Sequence, residues 1–111
     1  MKMKFDDAQQ MTVLSIRGEI TADDTDALRK AIIERMERKV RDFVLDLSQT
    51  EFVDSKGLET LLWLQEEALG QLGQVRLAAC QETVHKILEL TRLSGRFECQ
   101  PDVEGAIRSL R

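Results

Sequence analysis

The sequence predicts an α/β protein: a mostly parallel or mixed central sheet of four to five strands, with about four helices packed against it. Two observations carry this. Short apolar runs alternate with longer segments of helical periodicity, in the order β–α–β–α–β–α–β–α, the last strand short. Such alternation implies parallel strands joined by right-handed crossovers. The chain has 111 residues, 42% of them apolar, which fits one domain and leaves no room for two cores.

The elements follow in order. Residues 11–17, Met-Thr-Val-Leu-Ser-Ile-Arg, read as the first clear strand, which Gly18 is expected to stop. Residues 2–6 are expected to pair beside it as an edge strand. Thr21-Ala22-Asp23-Asp24 reads as a helix start, a capping residue followed by acids at the positive end of the helix dipole. Ala27, Leu28, Ala31, Ile32 and Met36 then recur at helical spacing, and Arg35, Arg38 and Lys39 mark the negative end. Phe43-Val44-Leu45-Asp46-Leu47 is a nearly continuous apolar run, the mark of a buried strand. Ser48-Gln49-Thr50-Glu51 reads as a polar loop, and Phe52-Val53 leads from it to a helix beginning at Asp54-Ser55. That helix has a broad apolar face of Gly57, Leu58, Leu61, Leu62, Leu64, Ala68 and Leu69, and stops between Gly70 and Gly73. Residues 75–79 read as a strand and residues 82–93 as a helix with Val84, Ile87, Leu88 and Thr91 on one face. Ser94-Gly95 ends it. Phe97-Glu98-Cys99 reads as a short last strand, and Pro101, at a favoured first-turn position, opens a final helix carrying Val103, Ala106, Ile107 and Leu110.

Composition narrows function by exclusion. A net charge of −4 argues against nucleic acid, because phosphate binding needs a basic surface. The one basic group, Arg35, Arg38, Lys39 and Arg41, decorates a helix end. No stretch reaches the roughly 18 apolar residues of a membrane-spanning helix, and the first residues lack the apolar core of a secretory signal. Cys80 and Cys99 form no CxxC pair and are expected as buried free thiols, which suits a reducing, cytoplasmic location. His85 falls toward the polar side of its helix and reads as solvated. Gly70 and Gly73 have no following Lys-Ser/Thr, so there is no phosphate loop. Metal sites need clustered ligands, and one His and two scattered Cys do not suffice. Asp23-Asp24 reads as a helix first turn and Glu66-Glu67 as a solvated face. The expectation is a protein that is not an enzyme and carries no metal or cofactor.

One constellation remains: Phe52-Val53-Asp54-Ser55-Lys56-Gly57-Leu58, at a strand-to-helix junction. In an open α/β sheet, sites are built where strands end and helices begin. A serine there lies near unpaired backbone N–H groups and the positive end of the helix dipole. A phosphate on Ser55 finds a favourable local field, aided by Lys56. Gly57 leaves space for close approach by another backbone. Asp54 or Ser55 also serves as a helix cap, and the two roles are compatible. On the helical wheel Trp63 falls opposite the leucine face, near Lys56, Glu59 and Glu67. It is either a contact site or covered by the carboxyl-terminal helix or the loop after the second strand.

Asp46-Leu47-Ser48, followed by the constellation at 52–58, resembles the signature of the STAS domain family, shared by sulfate transporters and anti-sigma factor antagonists. Gly18-Glu19-Ile20 resembles the turn after that family's early strand, and Leu93-Ser94-Gly95 its stop after the third helix. The resemblance runs across nearly the whole chain. It implies partner switching without catalysis. In such antagonists the serine after the aspartate is phosphorylated by an anti-sigma factor that is also a serine kinase. The unphosphorylated form binds that kinase and frees the sigma factor, and a phosphatase resets the system. The implied phospho-acceptor is Ser55. With the wheel reading, the expected partner surface comprises Thr21, Asp54, Ser55, Lys56, Gly57, Glu59 and Trp63. Thr21 stands where family antagonists often carry Asp, and Lys56 where a second small residue is common. The alternative implied by the same resemblance is an adaptor subunit of a membrane transporter, such as a lipid-trafficking ABC complex. Neither reading calls for membrane insertion or nucleic acid, and both leave the oligomeric state open.

Overall fold

The computed structural model describes residues 1–97 and 99–110. Two strands, β1 (Lys2–Ala8) and β2 (Met11–Ile20), open the chain as an antiparallel hairpin. A turn of 3₁₀ helix (Ala22–Asp24) leads into α1 (Thr25–Glu37). The chain continues through β3 (Asp42–Asp46), β4 (Thr50–Val53), α2 (Ser55–Gly70), β5 (Val75–Ala78), α3 (Glu82–Leu90), β6 (Cys99–Gln100) and α4 (Val103–Arg108). The sheet runs β1-β2-β3-β5-β6, with β4 paired to the far end of β2. Every pairing after the hairpin is parallel.

The predicted class holds, with six strands rather than four to five. The added one is β4, which takes in Thr50 and Glu51 from the expected polar loop. Gly18 does not stop β2. It adopts φ 98°, and the register with β4 shifts between Gly18 and Glu19, with Glu51 the extra residue on the β4 side. Before this shift β2 pairs with β3; beyond it Glu19 and Ile20 pair with Phe52 and Val53. That pairing sets the end of β2 beside the start of α2.

Both faces of the sheet are covered, which is why Phe43, Val44 and Leu45 are all buried. Leu14, Ile16, Phe43, Leu45, Val75 and Leu77 share one core with Leu28, Ile32 and Met36 of α1, Leu58, Leu61 and Leu64 of α2, and Val84 and Leu88 of α3. The alternate residues Val44 and Ala78 meet Ala106 and Leu110 on the opposite face. Each fully buried leucine contributes about 1.5–3 kcal/mol through removal from water. The apolar stripes are narrower than the sequence suggests: Ala27 is exposed, Leu62 is half-buried and Leu69 is 70% exposed.

Helix ends also differ from expectation. α3 stops at Leu90 because the Leu93 and Arg92 N–H groups donate back to the Leu88 and Glu89 carbonyls, with Arg92 at φ 62°. α1 and α2 close in the same way, with Lys39 at φ 74° and Leu72 at φ 64° in the left-handed position. Pro101 precedes α4 rather than opening it: Asp102 is the cap, its carboxylate accepting from the Gly105 N–H at 2.6 Å. The expected strand at 97–99 includes Glu98, which lies outside the described residues; β6 itself is Cys99–Gln100.

Candidate functional site

The ends of β2 and β4 run side by side, so the loops leaving them emerge together. Asp54 joins the two. One carboxylate oxygen accepts from the Gly57 N–H at 2.8 Å, capping α2. The other accepts from the Ala22 N–H at 2.9 Å, at the start of the 3₁₀ turn. The Asp54 N–H donates to the Ile20 carbonyl at 3.0 Å. Gly57 permits this closeness: a Cβ there would lie 2.6 Å from the Ile20 carbonyl oxygen and 2.8 Å from Val53 Cγ1. The space that Gly57 leaves is thus taken by the protein's own backbone.

Ser55 is the first residue of α2 and is exposed. Its hydroxyl sits at the end of the helix where backbone N–H groups lack helical partners. Lys56 is also exposed and faces Glu59, with Nζ and Oε1 3.6 Å apart. In the adjoining loop the Thr21 N–H and hydroxyl both donate to one Asp24 carboxylate oxygen, at 2.9 and 3.1 Å. The Thr21 N–H, above all, holds the Asp24 carboxyl below the usual carboxylate range. Between the two helix starts lies a shallow groove of about 350 Å³, lined by Ala22, Thr25, Asp26, Arg29, Lys56, Glu59 and Thr60. Thr21, Asp54, Ser55, Lys56, Gly57 and Glu59 therefore gather around the start of α2.

Trp63 differs from its wheel position. It is half-buried against the main core, and the Arg29 guanidinium of α1 lies 5.0 Å from its ring centre. α1, an element the sequence reading did not consider, contributes to its cover through Arg29. Phe52, 40% exposed on β4 immediately before the cap, adds apolar surface that the sequence reading quoted but did not assign to the partner surface.

The three scattered metal-ligand types also converge, against expectation. Cys80, His85 and Cys99 place their ligand atoms within 4.8 Å of one another. Both thiols are free but half-buried rather than buried. Desolvation pushes the Cys80 thiol up. The sequence hides this cluster because β5 and β6 pair only after the α3 crossover. Among the described residues, no helix is long and apolar enough to cross a membrane.

Fold and surface together define a mixed-sheet α/β protein whose distinctive feature is a capped, exposed helix start flanked by a second loop. The chain belongs to the STAS domain family, which matches residues 2–106. A STAS-domain-containing protein of Pseudomonas aeruginosa is 33% identical over 92 residues, covering 83% of this chain and 89% of that one. Among solved structures, an anti-sigma factor antagonist from Mycobacterium paratuberculosis is 28% identical, with a TM-score of 0.85 over 99% of this chain and 93% of that one. The unphosphorylated form of the Bacillus anti-sigma factor antagonist SpoIIAA is 20% identical, with a TM-score of 0.84 over 96% of this chain and 93% of that one. SpoIIAA is also solved in a phosphorylated form, which matches with a TM-score of 0.77.

Proposed function

We propose that this protein is an anti-sigma factor antagonist that switches partners through phosphorylation of Ser55. The observation that carries the reading is the position of Ser55: exposed, first in α2, directly after the Asp54 cap, and beside the β2–α1 loop. Likeness to antagonists, one of them 28% identical, supports the general kind. The partner in this reading is an anti-sigma factor with serine kinase activity, and a phosphatase restores the unphosphorylated form. The protein itself turns nothing over, and the exchange takes place in the cytoplasm.

The physics of the switch is local. A phosphoryl group brings about −1.5 to −2 charge at neutral pH. At a helix start that charge meets unpaired N–H groups and the positive dipole end, so the fold tolerates it. The partner does not: it must desolvate the phosphate to dock over it. Binding weakens while the fold persists.

Incubation with the cognate kinase and ATP, followed by peptide mapping, tests the site. Modification on Ser55, and its absence from Ser55→Ala, is the expected result. Modification on Ser48 or Ser94 with Ser55 untouched overturns the assignment. A pull-down from native lysate with wild type and Ser55→Asp tests the role. Capture of a kinase by wild type alone supports it; capture of a permease and its ATPase equally by both shows a transporter adaptor instead.

A further inference from the structure

Three residues that share no sequence motif meet at the edge of the sheet away from β1. Cys80 follows β5, His85 lies near the start of α3, and Cys99 opens β6. The parallel pairing of Leu77 with Cys99 and Ala78 with Gln100 brings the first and last together. The Ala79 N–H, donating to the Gln100 carbonyl at 2.9 Å, extends that pairing toward Cys80. The two sulfurs are 2.9 Å apart, and Cys99 Sγ lies 3.8 Å from His85 Nε2. The thiols are free and half-buried, and the imidazole is exposed.

We propose that Cys80, His85 and Cys99 form a binding site for one thiophilic d¹⁰ divalent metal ion, with zinc as the reference ion.

The ligand atoms, all within 4.8 Å of one another, are within side-chain adjustment of tetrahedral coordination. Zn–S bonds of about 2.3 Å and a Zn–N bond of about 2.05 Å set ligand atoms about 3.6 Å (S to N) and about 3.8 Å (S to S) apart. The Cys99–His85 distance is already within a few tenths of an ångström of this. The sulfurs must part by about 0.9 Å, an adjustment within reach of side-chain torsions. Two thiolates neutralise the dication and the imidazole stays neutral, so binding releases two thiol protons to solvent. The ligand set leaves a fourth position on the solvent side, where His85 is exposed.

One feature favours a metal over a simple thiol pair. The imidazole nitrogen completes a ligand set and has no place in a disulfide. The site joins β5, α3 and β6. From the same corner the Gln81 side-chain amide donates to the Ser48 carbonyl at 2.8 Å, on the loop that leads into β4. A bound ion therefore ties β5, α3 and β6 together at the sheet edge.

Titration of the full, reduced, metal-free chain with cobalt(II) tests this. The expected result is one cobalt per chain, a thiolate-to-cobalt charge-transfer band, displacement by zinc, and a higher melting temperature with zinc. Loss of an outer-shell partner alone costs about 10–100-fold in affinity, so Cys99→Ser and His85→Ala should each weaken binding by at least about tenfold. His85 is exposed, so His85→Ala keeps the fold while removing a ligand. Absence of the charge-transfer band overturns the proposal. So does cobalt affinity unchanged in both variants, or reduced protein that binds no cobalt but forms a Cys80–Cys99 disulfide in air.

Discussion

Asp54 holds two helix starts with one carboxylate, and the candidate site depends on it. Removing it leaves the Gly57 and Ala22 N–H groups without their acceptor. Asp54→Ala should therefore cost about 1–3 kcal/mol, read from denaturant melts, whereas Ser55→Ala should be near neutral. Equal losses in the two variants would contradict the bridging role. Gly57→Ala forces a Cβ to 2.6 Å from the Ile20 carbonyl oxygen, and about 1–3 kcal/mol of destabilisation is expected on the same assay. Asp24 carries a pH signature. Its folded pKa is depressed, chiefly by the Thr21 N–H, so it stabilises the fold above the unfolded value of about 3.9. That contribution is lost as pH falls through the folded value. Asp24→Ala should thus be less stable than wild type by about 1 kcal/mol at neutral pH, with the gap closing in acid. A gap that widens in acid would reverse the sign. At this scale the cap and the serine are legible in sequence, because capping is local. The Cys80–His85–Cys99 cluster is not, because its members meet only through the β5–β6 pairing.

Helix ends show where local rules and context part. Lys39, Leu72 and Arg92 occupy the left-handed position that glycine prefers, at φ 74°, 64° and 62°. Leu72 is 85% exposed, so its side chain contributes little in return. Leu72→Gly and Arg92→Gly should each raise stability by up to about 1 kcal/mol, since a non-glycine residue there costs about 1–2 kcal/mol and glycine's own entropy offsets part of the gain. A fall in melting temperature in either would refute the strain. Trp63 belongs to the same scale. A wheel describes one helix, and another, α1, contributes to the cover of Trp63 through Arg29. Trp63→Ala should cost about 1–3 kcal/mol, less than the 3–5 kcal/mol of a full core deletion, so any loss of partner binding must be read beside a melt. β4 escaped the sequence for a related reason. Its burial does not alternate: Thr50 and Val53 are buried and Glu51 and Phe52 exposed, and among the described residues it pairs with the end of β2, Gly18 to Ile20, across a register shift.

At the scale of the whole molecule, the order of strands and helices was readable because apolar runs and helical stripes alternate without interruption. What was not readable is the register-shifted pairing of β2 with β4, which sets the Thr21 loop against α2. That pairing makes a composite surface from two loops 30 or so residues apart in sequence, with the Asp54–Ala22 hydrogen bond as its fastening. A partner docked here as proposed, with an interface of ordinary size of about 800 Å² on each side, would span this surface and reach Trp63, roughly 12 Å along the axis of α2 from Ser55. The proposed phosphorylation of Ser55 would change the charge at its centre while the helix start accommodates the phosphate, so affinity should move without stability. The direct measurement is calorimetry of the cognate anti-sigma kinase against unphosphorylated and Ser55-phosphorylated protein, each with its melting curve. The account predicts binding at least about tenfold weaker after phosphorylation, a loss of about 1.4 kcal/mol, with the melting temperature preserved. Equal affinity of the two forms, or a weaker complex explained by unfolding of the phosphorylated protein, would contradict it.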